Sequence, residues 1–306
     1  MELALKSKEI KSVLLIVGNG FDLNLELETS YNQFLNSLGD EKNKNNLIYE
    51  LNLRNKADDK NWVDIEKELE NCAVNGLDKI RSENMYILHN SDRSNIFEKE
   101  NYIELKLLLK NYLIKQDEKE IINFKDKSSY KLLLELCKRE NIYLTILNFN
   151  YTNTIDTKLI NYIKAYHEKD IRSRYKHIFV HGNLNEDVVF GIADNAEITK
   201  QHHYLLKSFD TINNTKINIS KLLNNSDEIF FYGYSLGETD SSYFDDFFKE
   251  RCIYNDNIEE ENKKKITFYH YKDDGKNDLF DRLFTLTNHN MSKFSHLNLV
   301  NYIYSN

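Results

Sequence analysis

Residues 13–22, VLLIVGNGFD, place a short apolar run directly before two closely spaced glycines. Val13–Val17 is rich in β-branched residues and leucine, which is typical of a central strand that is buried on both faces. Two glycines after such a strand allow the main chain to turn tightly beside a bound nucleotide. Leu23, however, stands where the dinucleotide-binding pattern GxGxxG has its third glycine. The stretch therefore predicts a strand, and by itself leaves open whether the turn binds a nucleotide or is only structural.

Strand-like and helical patterns alternate along the rest of the chain. Further strands are predicted at Ile142–Leu147, His177–Val180, Val188–Phe190, Glu228–Tyr232 and Ile266–Tyr269, with Leu297–Ile303 as a weaker candidate. Helices between strands favour parallel pairing, so the sequence predicts an α/β protein with a Rossmann-like open parallel sheet. Residues 1–306 are expected to form a single α/β domain.

A largely helical segment separates the first predicted strand from the second. Ser30 and Gln33 have the spacing of a capping box, which predicts that a helix begins there. Apolar residues at helical spacing then mark three more helix faces: Trp62, Ile65, Leu69, Cys72, Ala73 and Gly76; Leu105, Leu108, Leu109, Tyr112 and Leu113; and Tyr130, Leu133, Leu136 and Cys137. No linker rich in glycine and serine marks this segment off, so residues 30–140 are predicted to be a helical insertion within the domain.

The composition argues against several classes of protein. The chain has a net charge of −8 with lysines and acidic residues interleaved, so we expect neither bulk nucleic-acid binding nor attraction to an anionic membrane. It has no run of about 18 apolar residues, and its first residues lack the apolar core of a signal peptide, so we expect a cytoplasmic protein. The three cysteines are isolated, so neither a disulfide framework nor a metal site is expected.

Polar residues and glycines collect directly after the predicted strands. In an open parallel sheet, ligands bind beyond the carboxyl ends of the strands. The candidate binding residues at these positions are Gly18, Asn19, Gly20, Phe21, Asp22, Asn148, Asn150, Thr152, His181, Gly182, Gly233, Ser235 and Asp240. We expect these residues to converge on one crevice.

The first two strand ends suit different parts of a nucleotide. Gly18 and Gly20 allow backbone N–H groups to approach a phosphate, whereas the charge of Asp22 repels phosphate and favours a ribose hydroxyl. The polar side chains of residues 148–152 alternate with aromatic ones, and an asparagine there can bind a carboxamide or position a water. The alternative for this segment is an Asx turn that only closes the strand end.

The later strand ends supply acid–base and hydroxyl groups. The imidazole of His181 can accept a proton from a sugar hydroxyl or from water, although a histidine at a strand end is also often structural. Ser235 and the amides after it can bind a phosphate or a ribose. The letters of Gly233–Gly237 also fit the GxSxG turn of serine hydrolases, in which Asp240 or Asp245, together with His270, would complete a triad.

Five motifs resemble the bacterial AbiH family, which is associated with abortive infection against phage. In chain order they are LLIVGNGFDLNLELETSYNQF, NWVDIEKELE, LNFNYTNTI, HIFVHGNL and FYGYSLGETDSSYF. The resemblance extends from about Val13 to Phe248. It implies an antiphage role, with a phage or host protein as a possible trigger and association into a homo-oligomer as a further expectation.

More distantly, the order of the strand ends is similar to the sirtuin-like NAD-binding fold, which includes antiphage members that hydrolyse NAD. This similarity implies that Asn150 and His181 are catalytic and that Ser235 holds the nucleotide. The chain departs from the sirtuin pattern at Asp22 and Thr152, among other positions, and three scattered cysteines do not form its four-cysteine zinc module. Protein deacylation is therefore not expected.

The function predicted from these residues is hydrolysis of the nicotinamide–ribose bond of NAD without a metal. The departures from the sirtuin pattern favour an alternative, a module that binds NAD or ADP-ribose as a sensor without chemistry. A serine hydrolase or a nuclease is a third possibility. Glu66 in the motif NWVDIEKELE is either a residue at the rim of the site or a solvated charge on a helix.

Overall fold

The computed structural model describes most of the chain, namely residues 10–40, 44–57, 65–83, 98–167, 171, 173–186, 188–210, 218–253 and 263–305. Within this part, one sheet contains the strands β1 (Lys11–Val17), β2 (Ile142–Asn148), β3 (Arg174–Phe179), β4 (Glu228–Tyr232), β5 (Lys265–His270) and β6 (Leu299–Tyr304). The strand order is β3-β2-β1-β4-β5-β6, and every neighbouring pair is parallel. The predicted Rossmann-like open parallel sheet is confirmed.

The strand order reverses at β1, which lies between β2 and β4. The chain adds β2 and β3 on one side of β1, and then β4, β5 and β6 on the other side. Val17, at the end of β1, pairs with Asn148 of β2 on one side and with Tyr232 of β4 on the other. The three strands therefore end level with one another. The residues that follow them emerge together at the point of the sheet where ligands bind in doubly wound folds.

Burial of β1 on both faces explains its unbroken apolar sequence. Leu14 and Ile16 join one core with aromatic residues such as Phe231 of β4 and Phe268 of β5. The intervening residues of Val13–Val17 point to the other face and are also fully buried. A strand that packs on both faces has no position for a polar side chain, so polar residues begin only where the strand ends.

Helices account for most of the remaining described residues. In chain order they are α1 (Asn19–Asn24), α2 (Tyr31–Ser37), α3 (Asn46–Ala57), α4 (Ile65–Glu83), α5 (Lys99–Glu118), α6 (Ser128–Lys138), α7 (Asn161–His167), α8 (Lys207–Asp210), α9 (Ile219–Asn225), α10 (Asp245–Glu250), α11 (Lys272–Leu286) and α12 (Met291–Leu297). The predicted capping box is present at the start of α2, where Ser30 and Gln33 bond reciprocally. Trp62, which was predicted to share a face with Ile65, lies outside the described residues.

The chain separates into two compact units. The first consists of residues 1–26, 120–180 and 216–306, and it contains the whole sheet. The second consists of residues 27–119 and 181–215, and it contains α2–α5 and α8. The boundaries expected from the sequence, one domain over 1–306 with an insertion at 30–140, stay predictions.

One predicted strand is wrong. Val188–Phe190 is buried but irregular, and it belongs to the second unit. The N–H of Val189 donates to the carbonyl oxygen of His181 (N···O 2.7 Å), and the carbonyl oxygen of Phe190 accepts from the hydroxyl of Tyr102. A short apolar run predicts burial, but here the backbone groups find partners outside any sheet.

Three further observations bear on the classes of protein considered from the sequence. Cys72, Cys137 and Cys252 are free thiols in buried positions. Among the described residues, no group of three or more histidine, cysteine or acidic side chains is placed to hold a metal ion. None of the helices in the described ranges combines the length and the apolar character that crossing a membrane requires.

Candidate functional site

The ends of β1 and β4 are in direct backbone contact. The N–H of Gly18 donates to the carbonyl oxygen of Tyr232 (N···O 3.1 Å), and the N–H of Gly20 donates to that of Gly233 (2.8 Å). A Cβ atom on Gly20 would lie 2.6 Å from the Cα atom of Gly233. Gly233 also has a positive φ of 59°. These positions require glycine because two backbone segments cross there.

This contact changes the interpretation of the glycine turn. The N–H groups of Gly18, Gly20 and Phe21 all donate to main-chain carbonyl oxygens, so these three amides do not form a phosphate cradle. The ring of Phe21 is fully buried and meets Tyr232 edge to face, with 5.4 Å between the ring centroids. Phe21 is therefore a core residue, and Asn19 is the first residue of α1.

An Asx turn follows β2, as the alternative interpretation of this segment proposed. The side-chain oxygen Oδ1 of Asn148 accepts from the N–H of Asn150 (N···O 2.9 Å). The Asn148 amide group also donates to the carbonyl oxygen of Thr152 (3.4 Å). Asn148 is only 1% exposed, so its side chain shapes the turn from inside the protein.

Two side chains after β2 reach across to the turn after β1. Asn150 donates from Nδ2 to the carbonyl oxygen of Gly18 (N···O 3.0 Å). Thr152 donates from its hydroxyl to Oδ2 of Asp22. Asn150 is 7% exposed and Asp22 is 1% exposed. The two hydrogen bonds therefore join the same two segments, the one that follows β2 and the one that follows β1.

An aromatic side chain that the sequence analysis did not single out joins this group from β4. The ring of Tyr234 lies against Phe149, with 4.4 Å between centroids, and its hydroxyl donates to Oδ2 of Asp240 (3.3 Å). Atom Cδ2 of Tyr234 lies 2.7 Å from the position that a Cβ on Gly18 would take. The signal in the sequence is the tyrosine between Gly233 and Ser235, directly after a strand.

We call the side chains and glycines that meet here the strand-end cluster: Gly18, Gly20, Asp22, Asn148, Asn150, Thr152, Gly233, Tyr234 and Asp240. All of them belong to the first unit. The cluster combines amide, hydroxyl and carboxylate groups with an aromatic ring. Such groups bind sugars and planar rings, and the Asp22 carboxylate is negatively charged when ionised.

The geometry does not support the serine-hydrolase alternative. Ser235 is exposed, and within the described part of the chain it makes no hydrogen bond to a histidine. The ring nitrogen Nδ1 of His270 is 3.3 Å from the carbonyl oxygen of Lys272, and Asp240 is bonded to Tyr234. A triad needs the base within hydrogen-bond reach of the nucleophile.

His181 and Gly182 belong to the second unit. They are the first two residues of its second segment, residues 181–215. His181 is buried, and its carbonyl oxygen accepts from Val189 as described above. Gly182 has a positive φ of 73°, which favours glycine. The predicted shared crevice of Asn150 and His181 stays a prediction.

The second unit contains a buried ion pair that involves Glu66. Its Oε2 is 2.8 Å from Nζ of Lys207, and both side chains are almost fully buried. Oε1 of Glu66 accepts from the N–H of Gly191 (3.4 Å). The interpretation of Glu66 as a solvated helix charge is therefore wrong. Lys207 was missed because nothing in its local sequence distinguishes it from the many surface lysines.

A buried tyrosine lies at the end of β4, immediately before the strand-end cluster. Burial raises the pKa of Tyr232 to about 12, although hydrogen bonds with neighbouring serines act in the opposite direction. One of these serines is Ser128, whose Oγ is 2.6 Å from the tyrosine hydroxyl. The hydroxyl thus remains neutral at physiological pH.

Comparison with known proteins gives one family. The family model described as Bacteriophage abortive infection AbiH matches residues 14–259, well over half of the chain. No curated protein matches. The matched range includes every residue of the strand-end cluster, whereas β5 and β6 follow it.

Proposed function

The chain belongs to the bacteriophage abortive infection AbiH family and has a role in abortive infection against phage; from this premise we propose that it is an NAD glycohydrolase. The reaction would cleave the bond between nicotinamide and ribose. The observation that carries the proposal is the polar strand-end cluster at the reversal of strand order, where Asn150 bonds to Gly18 and Thr152 bonds to Asp22. Doubly wound sheets bind nucleotides at this point.

The chemistry of NAD hydrolysis suits this set of residues. The nicotinamide ring is cationic while it is attached to ribose and leaves as a neutral molecule, so no acid is needed to protonate the leaving group. The enzyme has to hold the ring, stabilise a cationic sugar and direct a water to it. Positioning of this kind contributes up to ~7–11 kcal/mol to the barrier reduction.

Asn150 is the residue that we assign to the carboxamide of nicotinamide or to the attacking water. Its bond through Nδ2 to Gly18 fixes the side chain before a ligand arrives and leaves Oδ1 as the acceptor. Preorganised polar groups stabilise a transition state without a reorganisation cost. Asp22 and the exposed hydroxyl of Ser235 are assigned to the sugar hydroxyls.

His181 keeps its predicted role as the base that accepts a proton from water or a ribose hydroxyl. Its support is the similarity, described above, between the order of the strand ends and the sirtuin-like pattern. A base of this kind typically contributes ~100- to 10,000-fold to the rate. The roles of Asn150 and His181 are therefore tested by separate substitutions.

NAD consumption during infection is the direct test. Cells that express the wild type, Asn150→Ala or His181→Ala are infected with phage, and NAD, nicotinamide and ADP-ribose are measured by mass spectrometry. We expect NAD to fall only with the wild type. Asn161→Ala and His296→Ala, which change exposed residues of the same types, are the matched controls. Protection against phage with constant NAD would contradict the proposal.

The second candidate function is a nucleotide-binding module without chemistry. The engagement of Asn148 and of the amides of Gly18, Gly20 and Phe21 in structural hydrogen bonds favours it. Calorimetry with NAD and ADP-ribose distinguishes the two, because a sensor returns its ligand intact whereas a hydrolase releases nicotinamide. Either candidate function is compatible with a homo-oligomer and with a phage or host protein as the trigger. Both of these remain proposals that come from the family resemblance.

A further inference from the structure

Strand β6 forms one edge of the sheet, at the opposite end of the strand order from β3. Within the part of the chain that the structure describes, β5 is the only strand that pairs with it. Proteins usually protect an open strand edge with charged residues, proline or a bulge, because its backbone groups can pair with another chain. The sequence of β6, LVNYIY, has no charge and no proline, and its register with β5 runs without a bulge.

The backbone groups on the open side of β6 belong to Val300, Tyr302 and Tyr304. The N–H groups of Leu299 and Ser305 both donate towards the β5 side (N···O 3.0 and 2.8 Å). The N–H and C=O groups of successive residues in a strand point to opposite sides of the strand. The odd-numbered residues of β6 therefore bond to β5, and the even-numbered residues direct their N–H and C=O groups away from the sheet.

The opposite edge of the sheet has a different character. β3 contains Arg174 and Lys176, and both side chains are exposed. A strand that added to β3 would have to accommodate these two cations, which is the usual protection of an edge strand. Of the two edges, β6 is the one that is suited to the addition of a strand.

Apolar side chains flank the open edge of β6. Ile303 is 40% exposed and Tyr304 is 52% exposed. Tyr302 packs against Phe280 of α11, with 4.9 Å between the ring centroids. Phe284, one helical turn further along α11, is 48% exposed. Exposed apolar side chains that cluster in this way are typical of a protein–protein interaction site.

We propose that β6 pairs in antiparallel orientation with β6 of a second copy of this chain, so that the two sheets join across a two-fold axis. An axis at Tyr302 brings all three outward-facing residues into register. Tyr302 then lies opposite Tyr302 of the second copy, and Val300 lies opposite Tyr304. Each of these pairs exchanges two backbone hydrogen bonds.

A second copy suits this edge because β6 is complementary to itself. Two uncharged strands bring no like charges opposite each other when they pair. The facing side chains are aromatic with aromatic at Tyr302, and β-branched with aromatic at Val300 and Tyr304, and both combinations stabilise cross-strand contacts. The inference is independent of the proposed function and of the family resemblance, because β6 lies beyond the matched residues 14–259.

Sedimentation velocity of the whole chain tests the dimer. We expect a dimer at about 100 μM, and Tyr304→Lys to raise its dissociation constant at least about ten-fold, because the lysine would lie against Val300 of the second copy. Tyr166→Lys changes a tyrosine of α7 that is 70% exposed, and it is expected to leave the dissociation constant unchanged. Hydrogen exchange adds a direct readout: the amides of Val300 and Tyr302 should be protected in the dimer and exchange faster in Tyr304→Lys.

Disulfide trapping tests the antiparallel register. With the axis at Tyr302, residue 301 of one copy and residue 303 of the other form a non-hydrogen-bonded pair. The Cα atoms of such a pair are about 4.5 Å apart, which a disulfide can span. Asn301→Cys protein mixed with a tagged Ile303→Cys protein is expected to form the mixed disulfide at least about ten-fold faster than either protein forms a disulfide with itself. The native cysteines are buried.

Three results would overturn the inference. Wild-type protein that stays monomeric at this concentration would leave the edge to a strand of a different protein. A dimer that Tyr304→Lys does not weaken would have its interface elsewhere. A mixed disulfide that forms no faster than the disulfides of the single variants would exclude the pairing of residues 301 and 303. NAD cleavage is measured separately, so none of these results decides the proposed function.

Discussion

Gly20 and Gly233 lie in van der Waals contact through their backbones, at the point where β1 and β4 end. A Cβ on Gly233 would lie 2.3 Å from the carbonyl carbon of Gly20, and one on Gly20 would lie 2.6 Å from Cα of Gly233. No side chain fits between them. The close approach of these two strand ends brings Tyr234 over Gly18, and so it determines the shape of the strand-end cluster.

Alanine at Gly20 is expected to destabilise the protein by about 1–3 kcal/mol, because the added methyl group overlaps backbone atoms that do not yield easily. The matched control is Gly275→Ala in α11, where a Cβ would meet nothing within 4 Å. That substitution is expected to stabilise the helix by about 0.5–1 kcal/mol. Urea unfolding monitored by circular dichroism measures both; equal effects would contradict the packing argument.

Replacement of Thr152 by valine is expected to cost about 1.5–3 kcal/mol of unfolding free energy, because Asp22 loses a hydrogen bond that it accepts as a charged group. Valine has nearly the same shape as threonine, so the loss reports the hydroxyl. Thr152→Ser keeps the hydroxyl and is expected to keep most of this stability. Chemical denaturation of the three proteins side by side provides the measurement, and a Thr152→Val protein as stable as the wild type would show that the bond is unimportant.

Because Glu66 and Lys207 form a buried ion pair, we expect substitutions of these two residues to have strongly non-additive effects on the unfolding free energy. Lys207→Met leaves the Glu66 carboxylate without its cation and is expected to cost about 3–5 kcal/mol. The double variant Glu66→Leu with Lys207→Met removes both charges and is expected to recover much of this loss. A double-mutant cycle from thermal or urea unfolding measures the coupling, and additive effects would contradict a buried ion pair.

Tyr232 predicts a loss of stability in alkaline solution. Its pKa is near 10 in the unfolded chain and is raised by burial to about 12 in the folded protein. The folded state therefore retains the proton when the unfolded state has lost it. The contribution of Tyr232 is fully present below about pH 10 and is lost as the pH rises towards 12, by roughly 3 kcal/mol in total.

Unfolding free energies between pH 8 and 11.5, for the wild type and Tyr232→Phe, isolate this contribution. Other buried tyrosines with a raised pKa, such as Tyr302, add to the alkaline loss in both proteins. The variant lacks the hydroxyl at residue 232 and is expected to lose less stability than the wild type over this range. Identical pH slopes for the two proteins would mean that Tyr232 does not titrate differently on folding.

Most of the sheet could be predicted from the sequence because its signals are local. β1, β2, β4 and β5 fall within one or two residues of the predicted strands, since each combines β-branched or aromatic residues with polar residues at its ends. The prediction failed at Val188–Phe190, which has the same composition. An apolar run records that a segment is buried, but not which backbone groups it meets.

The sequence by itself determined that this protein has an open parallel sheet and that polar residues follow its strands. It also determined the family, through motifs that span most of the chain. Only the tertiary structure decided what those polar residues do. Asn148 forms a turn, Asn150 and Thr152 tie β2 to β1, and Glu66 finds Lys207 far along the chain. The reason is physical: burial and strand formation depend on neighbouring residues, whereas the partner of a hydrogen bond or charge depends on which distant segments pack together.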